Sequence, residues 1–178
     1  MRYTSAEANK LLKSLEDERA QMCMMENQSS VFTCATQENP DEVRPEYGFL
    51  ETQCEISVIE SKIRKVKHAI NVFNTTHEVP GFGMTVDQML VFIPQLSARK
   101  RVLSGMAQRL PKARKQSRYG GEKSNFIEYE YANYNTEEAK KYYRQISDYL
   151  SAAQVALDKL NHSATMEIDI EESSDITE

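Results

Sequence analysis

The sequence predicts a mainly α-helical protein: an up-down-up-down four-helix bundle with a small two-stranded β-ribbon at one pole. Four long segments repeat apolar residues at intervals of three and four, the spacing of a heptad seam. The chain of 178 residues contains only 6 Gly and 5 Pro, as expected of long helices. Two short segments, at about 31–35 and 126–134, instead have the character of strands.

The strongest seam runs from Phe49 to Phe73 and predicts the second helix, which ends near Asn74. Its eight positions alternate in spacing between three and four residues, and seven of them are apolar. They are Phe49, Thr52, Ile56, Ile59, Ile63, Val66, Ile70 and Phe73. Because a long apolar stripe is driven out of water, we expect other helices to cover it.

Caps and shorter seams predict the first and fourth helices. The capping box Thr4–Glu7 begins the first helix, which is expected to end near Met25. Asn135 caps the fourth helix, whose apolar positions continue to Leu160.

The third helix follows a loop at 74–85 that contains two Gly and a Pro. A second capping box, Thr85–Gln88, begins the helix, and Pro111 is expected to close it. Pro94 lies inside the helix and should kink it or split it in two, because proline lacks a backbone N–H.

The two predicted strands are Val31–Ala35 and Phe126–Tyr134. The first is β-branched and aromatic in composition, and the second alternates tyrosine with glutamate. Both follow helices that end at the same pole of the bundle, so we expect them to pair there. The expected packing surface of this ribbon is Tyr129, Tyr131 and Tyr134.

The domain prediction is a helical bundle with its ribbon over residues 1–161 and an acidic, disordered tail over residues 162–178. Within that tail, Met166–Ile170 is a candidate short strand. No apolar run approaches the ~20 residues of a transmembrane helix, and MRYTSAEANK lacks the apolar core of a signal peptide. We therefore expect no membrane partner. The three cysteines have no metal-type spacing, so we expect reduced thiols and a cytoplasmic location.

The net charge of −5 conceals a partition along the chain. Residues 1–60 carry −7, residues 61–121 carry +10 and residues 122–178 carry −8. One interpretation is that the basic middle lies against the acidic outer helices, within one subunit or between subunits. The other is that the basic segment 99–121 forms a surface for an anionic partner.

The second interpretation supplies a set of candidate ligand-binding residues. Arg and Lys next to Tyr suit phosphate groups and a stacked base, and His68, Asn71 and His77 suggest a polar pocket at the 74–85 loop. The alternative for these last three is a solvated helix face and a C-terminal cap. The candidates are Lys65, His68, Asn71, Arg99, Arg109, Lys112, Arg114, Lys115, Arg118 and Tyr119.

Catalytic patterns are weak in this sequence. Glu128 and Glu130 lie on one face of a predicted strand, where paired carboxylates serve acid–base chemistry, but a solvent-facing strand side explains them better. The three histidines have no zinc-ligand spacing, and no nucleophile comes with a recognisable base. We therefore expect neither an enzyme, nor a metal site, nor a cofactor.

Several segments carry a family resemblance that extends over most of residues 5–161. They are IRKVKHAINVFN (63–74), GMTVDQML (83–90), LSARKRVL (96–103), FIEYEYANY (126–134) and AAQVALDKLN (152–161). Their layout resembles the uncharacterised septicolysin-like family of bacterial helical-bundle proteins. The resemblance implies a self-associating helical bundle and no established activity.

Two functions from different classes follow from these patterns. The first is a non-catalytic, homo-oligomeric helical-bundle interaction protein, suggested by the heptads and by the Met22, Met24 and Met25 patch. The alternative is a binding module that captures a nucleotide, a cyclic nucleotide or a nucleic acid through segment 99–121. Their dependence on salt distinguishes them, because phosphate binding weakens steeply as salt rises.

Overall fold

The computed structural model describes residues 1–115 and 128–170, and these residues are mainly helical, as predicted. Helices make up 68% of them. The described helices are α1 (Ser5–Ser29), α2 (Pro40–Val43), α3 (Phe49–Thr76), α4 (Val86–Gln108) and α5 (Thr136–Ser163). The described strands are β1 (Arg2–Thr4), β2 (Glu78–Val79), β3 (Met84–Thr85), β4 (Lys112–Arg114), β5 (Tyr129–Tyr131) and β6 (Thr165–Glu167). These strands form small antiparallel sheets, β1 with β6, β2 with β3 and β4 with β5.

The chain divides into two compact units. Unit 1 comprises the described parts of Met1–His77 and Lys159–Glu178, and unit 2 comprises those of Glu78–Asp158. Helices α1 and α3 therefore belong to unit 1, whereas α4 and most of α5 belong to unit 2. A single four-helix bundle over residues 1–161 stays a prediction.

Unit 1 is built on an antiparallel pair of helices, α1 and α3. The Glu16 carboxylate lies 2.7 Å from Lys67 Nζ, and Arg19 Nε lies 2.6 Å from Glu60 Oε1. Arg19 follows Glu16 on α1, whereas its partner Glu60 precedes Lys67 on α3. The two helices therefore run in opposite directions. The Glu16–Lys67 pair joins the acidic segment 1–60 to the basic segment 61–121, as the first interpretation of the charge partition expects, whereas Arg19 and Glu60 both belong to residues 1–60.

The apolar seam of α3 is buried over most of its length. Its buried positions are Ile56, Ile59, Ile63, Val66, Ile70 and Phe73. Thr52 is half-buried and Phe49 is 59% exposed, so the first turn of the seam is uncovered. The seam prediction is therefore confirmed for the last six of its positions.

Strand β6 corrects the predicted disordered tail over residues 165–167, where the sequence also offered Met166–Ile170 as a candidate short strand. Helix α5 continues to Ser163, and β6 then pairs with β1 so that Tyr3 lies opposite Met166. Met166 and Ile168 are buried, whereas Glu167 is exposed and lies 3.1 Å from Arg2 Nε. This alternation gives the segment a buried apolar face, which offsets the entropy cost of ordering it. Residues 171–178 lie outside the described residues.

Val31–Ala35 is not a strand, contrary to the prediction. The segment forms neither helix nor strand, and Val31 is 75% exposed. β-branched composition favours a half-buried pleated surface, but it does not supply a neighbouring strand edge to pair with. The ribbon partner of β5 is instead β4, which follows α4 directly. Of the predicted strand at 126–134, the structure shows Tyr129–Tyr131, and residues 126 and 127 lie outside the described residues.

Unit 2 begins with the β2–β3 hairpin, in the segment predicted as a loop. Gly81 and Gly83 have φ of 85° and 59°, a left-handed backbone that glycine adopts without strain. The hairpin leads into α4, where the Thr85 N–H donates to Gln88 Oε1 at 3.0 Å, which agrees with the predicted capping box. Helix α4 continues through Pro94 as one helix, so it is not split, and it ends before Pro111.

The core of unit 2 joins α4 to α5. Leu96 of α4 packs with Ile146 and Leu150 of α5, and Phe92, Ile93 and Leu103 pack around them. The Asn135 side chain accepts from the Glu137 N–H at 2.9 Å, as its predicted cap position requires. None of the helices in the described ranges combines the length and apolar character that a bilayer crossing needs.

Candidate functional site

The ribbon formed by β4 and β5 lies where the chain leaves α4. Its ladder extends beyond the strands, because the Ala132 N–H donates to the Pro111 carbonyl at 3.1 Å and the Lys115 N–H donates to the Glu128 carbonyl at 2.9 Å. The Tyr134 hydroxyl donates to the Met106 carbonyl at 2.9 Å. The ribbon is therefore fastened to the last turns of α4.

The register of the ribbon separates its side chains into two faces. Lys112 lies opposite Tyr131 and Arg114 lies opposite Tyr129, whereas Ala113 lies opposite Glu130. Successive residues of a strand point to opposite sides, and cross-strand partners share a side. One side therefore carries Lys112, Arg114, Tyr129 and Tyr131, and we call it the cation–aromatic face. The other carries Ala113, Lys115, Glu128 and Glu130, and we call it the ion-paired face.

On the cation–aromatic face, an ammonium group lies over the tyrosine rings. Lys112 Nζ is 4.1 Å from the centre of the Tyr129 ring and 5.4 Å from that of Tyr131. The two tyrosines are 46% and 62% exposed, so both rings are accessible to solvent. Exposed rings next to cations are suited to stacking a base and holding a phosphate.

On the ion-paired face, carboxylates neutralise two of the predicted ligand-binding cations. Lys115 Nζ lies 2.8 Å from Glu128 Oε2, and Arg109 Nη1 lies 3.6 Å from Glu130 Oε1. The hydrogen bond from Lys115 lowers the pKa of Glu128, and the same contact raises the pKa of Lys115. Each of the two carboxylates on this face therefore contacts one of the predicted ligand-binding cations.

The remaining predicted ligand residues are dispersed. Arg99 of α4 lies with its guanidinium carbon 5.7 Å from the centre of the Tyr142 ring of α5. Lys65, His68 and Asn71 lie on α3 in unit 1, whereas the ribbon belongs to unit 2. Arg118 and Tyr119 lie outside the described residues.

His68 and His77 line one cavity of unit 1, with a volume of about 350 Å³. The His77 ring stacks on Phe73 at 4.1 Å, and its backbone N–H donates to the Phe73 carbonyl at 3.0 Å, which caps α3. Asn71 is exposed and is not part of the lining, so the three residues do not form the predicted pocket together. Within residues 1–115 and 128–170, no group of three or more His, Cys, Asp or Glu is placed to hold a metal ion.

A second surface lies where α1 ends and α3 begins, and we call it the apolar end. It consists of the exposed residues Met24, Met25, Val31, Phe32, Phe49 and Leu50. The Tyr47 hydroxyl donates to Glu26 Oε1 at 3.0 Å and ties the start of α3 to α1. Burial and this hydrogen bond raise the pKa of Tyr47. The methionine patch was visible in the sequence, but nothing in the sequence marked Leu50, which lies off the seam and is 79% exposed.

Comparison with known proteins shows the fold alone. No family model and no curated protein matches the chain. The chain is similar in structure to a crystal structure described as a functionally unknown conserved protein from Corynebacterium diphtheriae. The two share 16% sequence identity with a TM-score of 0.56, over 94% of this chain and 100% of that one.

Proposed function

We propose that this chain is a non-catalytic interaction protein that self-associates through its apolar end. The observation that carries the proposal is the exposure of Phe49 and Leu50, at 59% and 79%, at the end of unit 1 where α1 also exposes Met24 and Met25. Soluble monomers rarely expose contiguous apolar patches, and such patches mark interaction surfaces. Full burial of each large side chain contributes roughly 1.5–3 kcal/mol, so these four together are a substantial driving force.

A second copy of the chain is the partner that fits this surface. The heptad spacing of the α3 seam continues through Thr52 to Phe49, beyond the part that unit 1 covers itself. Heptad seams pack against seams of the same spacing, and a two-fold axis would place each apolar end against an identical one. Two α1–α3 pairs would then supply a four-helix bundle between subunits. The bundle within one chain is the alternative arrangement.

The test is the mass of the protein in solution, measured by light scattering after gel filtration. We expect an oligomer for the natural chain and a monomer for the double variant Phe49→Asp/Leu50→Asp. The matched control is Val91→Asp/Val102→Asp, which places the same charges on exposed positions of α4. A monomeric natural chain, or equal dissociation of both variants, contradicts the proposal.

The alternative function, capture of a phosphate-bearing ligand, is supported by the cation–aromatic face. That face keeps Lys112 and Arg114 next to two exposed rings, whereas Lys115 and Arg109 are ion-paired. The alternative function therefore depends on Lys112, Arg114 and the two tyrosines, and not on the whole of segment 99–121. Membership of the septicolysin-like family and a cytoplasmic location stay predictions.

A further inference from the structure

We propose that the cation–aromatic face is a binding site for single-stranded nucleic acid. In this site, bases stack on Tyr129 and Tyr131, and Lys112 and Arg114 contact the phosphates between them. The proposal is independent of self-association through the apolar end, because it uses other residues in the other unit.

The spacing of the rings favours an unstacked strand. Tyr129 and Tyr131 are two positions apart on β5, about 7 Å along the strand. A duplex stacks its bases about 3.4 Å apart along each strand, so paired DNA cannot place neighbouring bases on both rings. A single strand, whose bases splay apart, can do so. A cation lies across the ribbon from each ring, Lys112 opposite Tyr131 and Arg114 opposite Tyr129, so the face repeats the same pair of groups along its length.

The openness of the face favours a polymer over a free nucleotide. Both rings are exposed on one side of a two-stranded ribbon. Small-molecule sites are concave and bury most of their ligand, whereas single strands bind to open platforms of aromatic and basic side chains. A polymer also occupies both ring–cation pairs at once, which raises its affinity over that of one nucleotide.

Lys112 occupies the place on the Tyr129 ring that a bound base would take. Its ammonium lies 4.1 Å from the centre of the Tyr129 ring, where a base would stack. A stacking base replaces the ammonium on the ring, and the flexible lysine side chain then reaches the neighbouring phosphate. In the free protein, the Lys112 ammonium therefore holds the Tyr129 ring in place. On binding, a base takes the position of the ammonium on that ring.

The ion-paired face supplies a matched control on the same ribbon. Lys112→Ala/Arg114→Ala and Arg109→Ala/Lys115→Ala each remove two positive charges, but only the first pair removes them from the cation–aromatic face. The chain is acidic overall, with a net charge of −5. If binding depends on the cation–aromatic face and not on net charge alone, Lys112→Ala/Arg114→Ala must weaken it more than Arg109→Ala/Lys115→Ala does.

The experiment is fluorescence anisotropy of a labelled single-stranded oligodeoxythymidylate with the full chain at low salt. With two phosphate contacts, a tenfold rise in salt should weaken binding about 25-fold. Lys112→Ala/Arg114→Ala should abolish most of that salt dependence, whereas Arg109→Ala/Lys115→Ala should retain it. Tyr129→Leu/Tyr131→Leu should weaken binding at least about fivefold for each ring removed, and Tyr129→Phe/Tyr131→Phe should restore it. Far-ultraviolet circular dichroism confirms that each variant is folded.

Four results overturn the proposal. They are no binding of the oligonucleotide, equal weakening by the two charge variants, tighter binding of duplex than of single strand, and full competition by thymidine monophosphate at the same concentration of nucleotide units. The measurement is repeated in Phe49→Asp/Leu50→Asp, whose mass tests self-association separately. Loss of self-association with retained binding leaves this inference intact, and loss of binding with retained self-association overturns this inference alone.

Discussion

At the scale of single residues, one step along a strand separates two kinds of chemistry. Arg114 and Lys115 are neighbours in the chain, but Arg114 shares a side with the tyrosine rings and Lys115 contacts the Glu128 carboxylate. The sequence showed the alternation of tyrosine and glutamate on β5, and the structure retains it. The sequence could not show which basic residues would face the glutamates, because that depends on the register with β4, which composition does not determine.

Removal of the Lys115 ammonium should change the titration of Glu128. Lys115→Met retains the aliphatic stem and deletes the charge and the hydrogen bond that lower the Glu128 pKa. We expect the pKa of Glu128 to rise toward its ordinary value in a carboxyl-detected NMR titration. Lys112→Met removes a charge from the other face and should leave Glu128 nearly unchanged. A low pKa for Glu128 that persists in Lys115→Met would disprove this assignment.

Phe73 is expected to be among the most sensitive residues of α3. Its side chain is fully buried at the end of the seam and stacks on His77. Phe73→Ala should lower the free energy of unfolding by about 3–5 kcal/mol, because it leaves a cavity. Val72→Ala, at the exposed neighbouring position, should change it by no more than ~0.5 kcal/mol. Urea unfolding followed by circular dichroism compares the two, and similar midpoints would contradict the packing described for Phe73.

At the scale of elements, the helices were predictable and the strand partners were not. Capping boxes and apolar periodicity are local, so the starts of α1 and α4 and the buried part of α3 could be derived from neighbouring residues. Strand pairing is non-local. Val31–Ala35 had strand composition without an edge to join, whereas Lys112–Arg114, in the basic segment 99–121, pairs with β5 although its composition gave no strand signal.

The capping box of α1 should make stability depend on pH. The Thr4 N–H donates to Glu7 Oε2 at 2.8 Å, and this bond with the Thr4 hydroxyl lowers the pKa of Glu7. Because the folded pKa lies below the unfolded one, the contribution is fully present above the unfolded pKa and is lost as the pH falls through the folded pKa. Glu7→Gln should make the unfolding midpoint less dependent on pH across this acidic window. Identical pH profiles for the two chains would show that the cap does not titrate as described.

At the scale of the whole molecule, one unit is continuous in sequence and the other is not. Unit 2 occupies Glu78–Asp158, and unit 1 is assembled from residues on both sides of it. The sequence predicted a single bundle because apolar periodicity identifies helices without saying which of them share a core. It also placed the end of the bundle at residue 161, because the acidic composition after Asn161 is typical of a tail, although Met166–Ile170 was a candidate strand and Met166 and Ile168 are buried.

Truncation from the C-terminal side should therefore lower the stability of the protein only once β6 is removed. A chain that ends at residue 170 retains β6, and we expect its thermal unfolding to match that of the full chain. A chain that ends at residue 164 loses Met166 and Ile168, each contributing about 1.5–3 kcal/mol when buried, and leaves β1 without its partner. Hydrogen exchange at the Tyr3 N–H, which lies opposite Met166, should accelerate only in the shorter chain. Equal exchange in both chains would contradict a role for the β1–β6 pair.

The β1–β6 pair also determines the order in which the protein matures on the ribosome. Arg2 pairs with Glu167, so the first strand emerges long before its partner has been translated. The described core residues of unit 2 all precede Asp158, so they have been translated before β6. Because domains fold as they are synthesised and distant contacts form late, the inserted unit should mature before the unit that flanks it. During that interval β1 has an unpaired edge, which is a template for pairing with another chain.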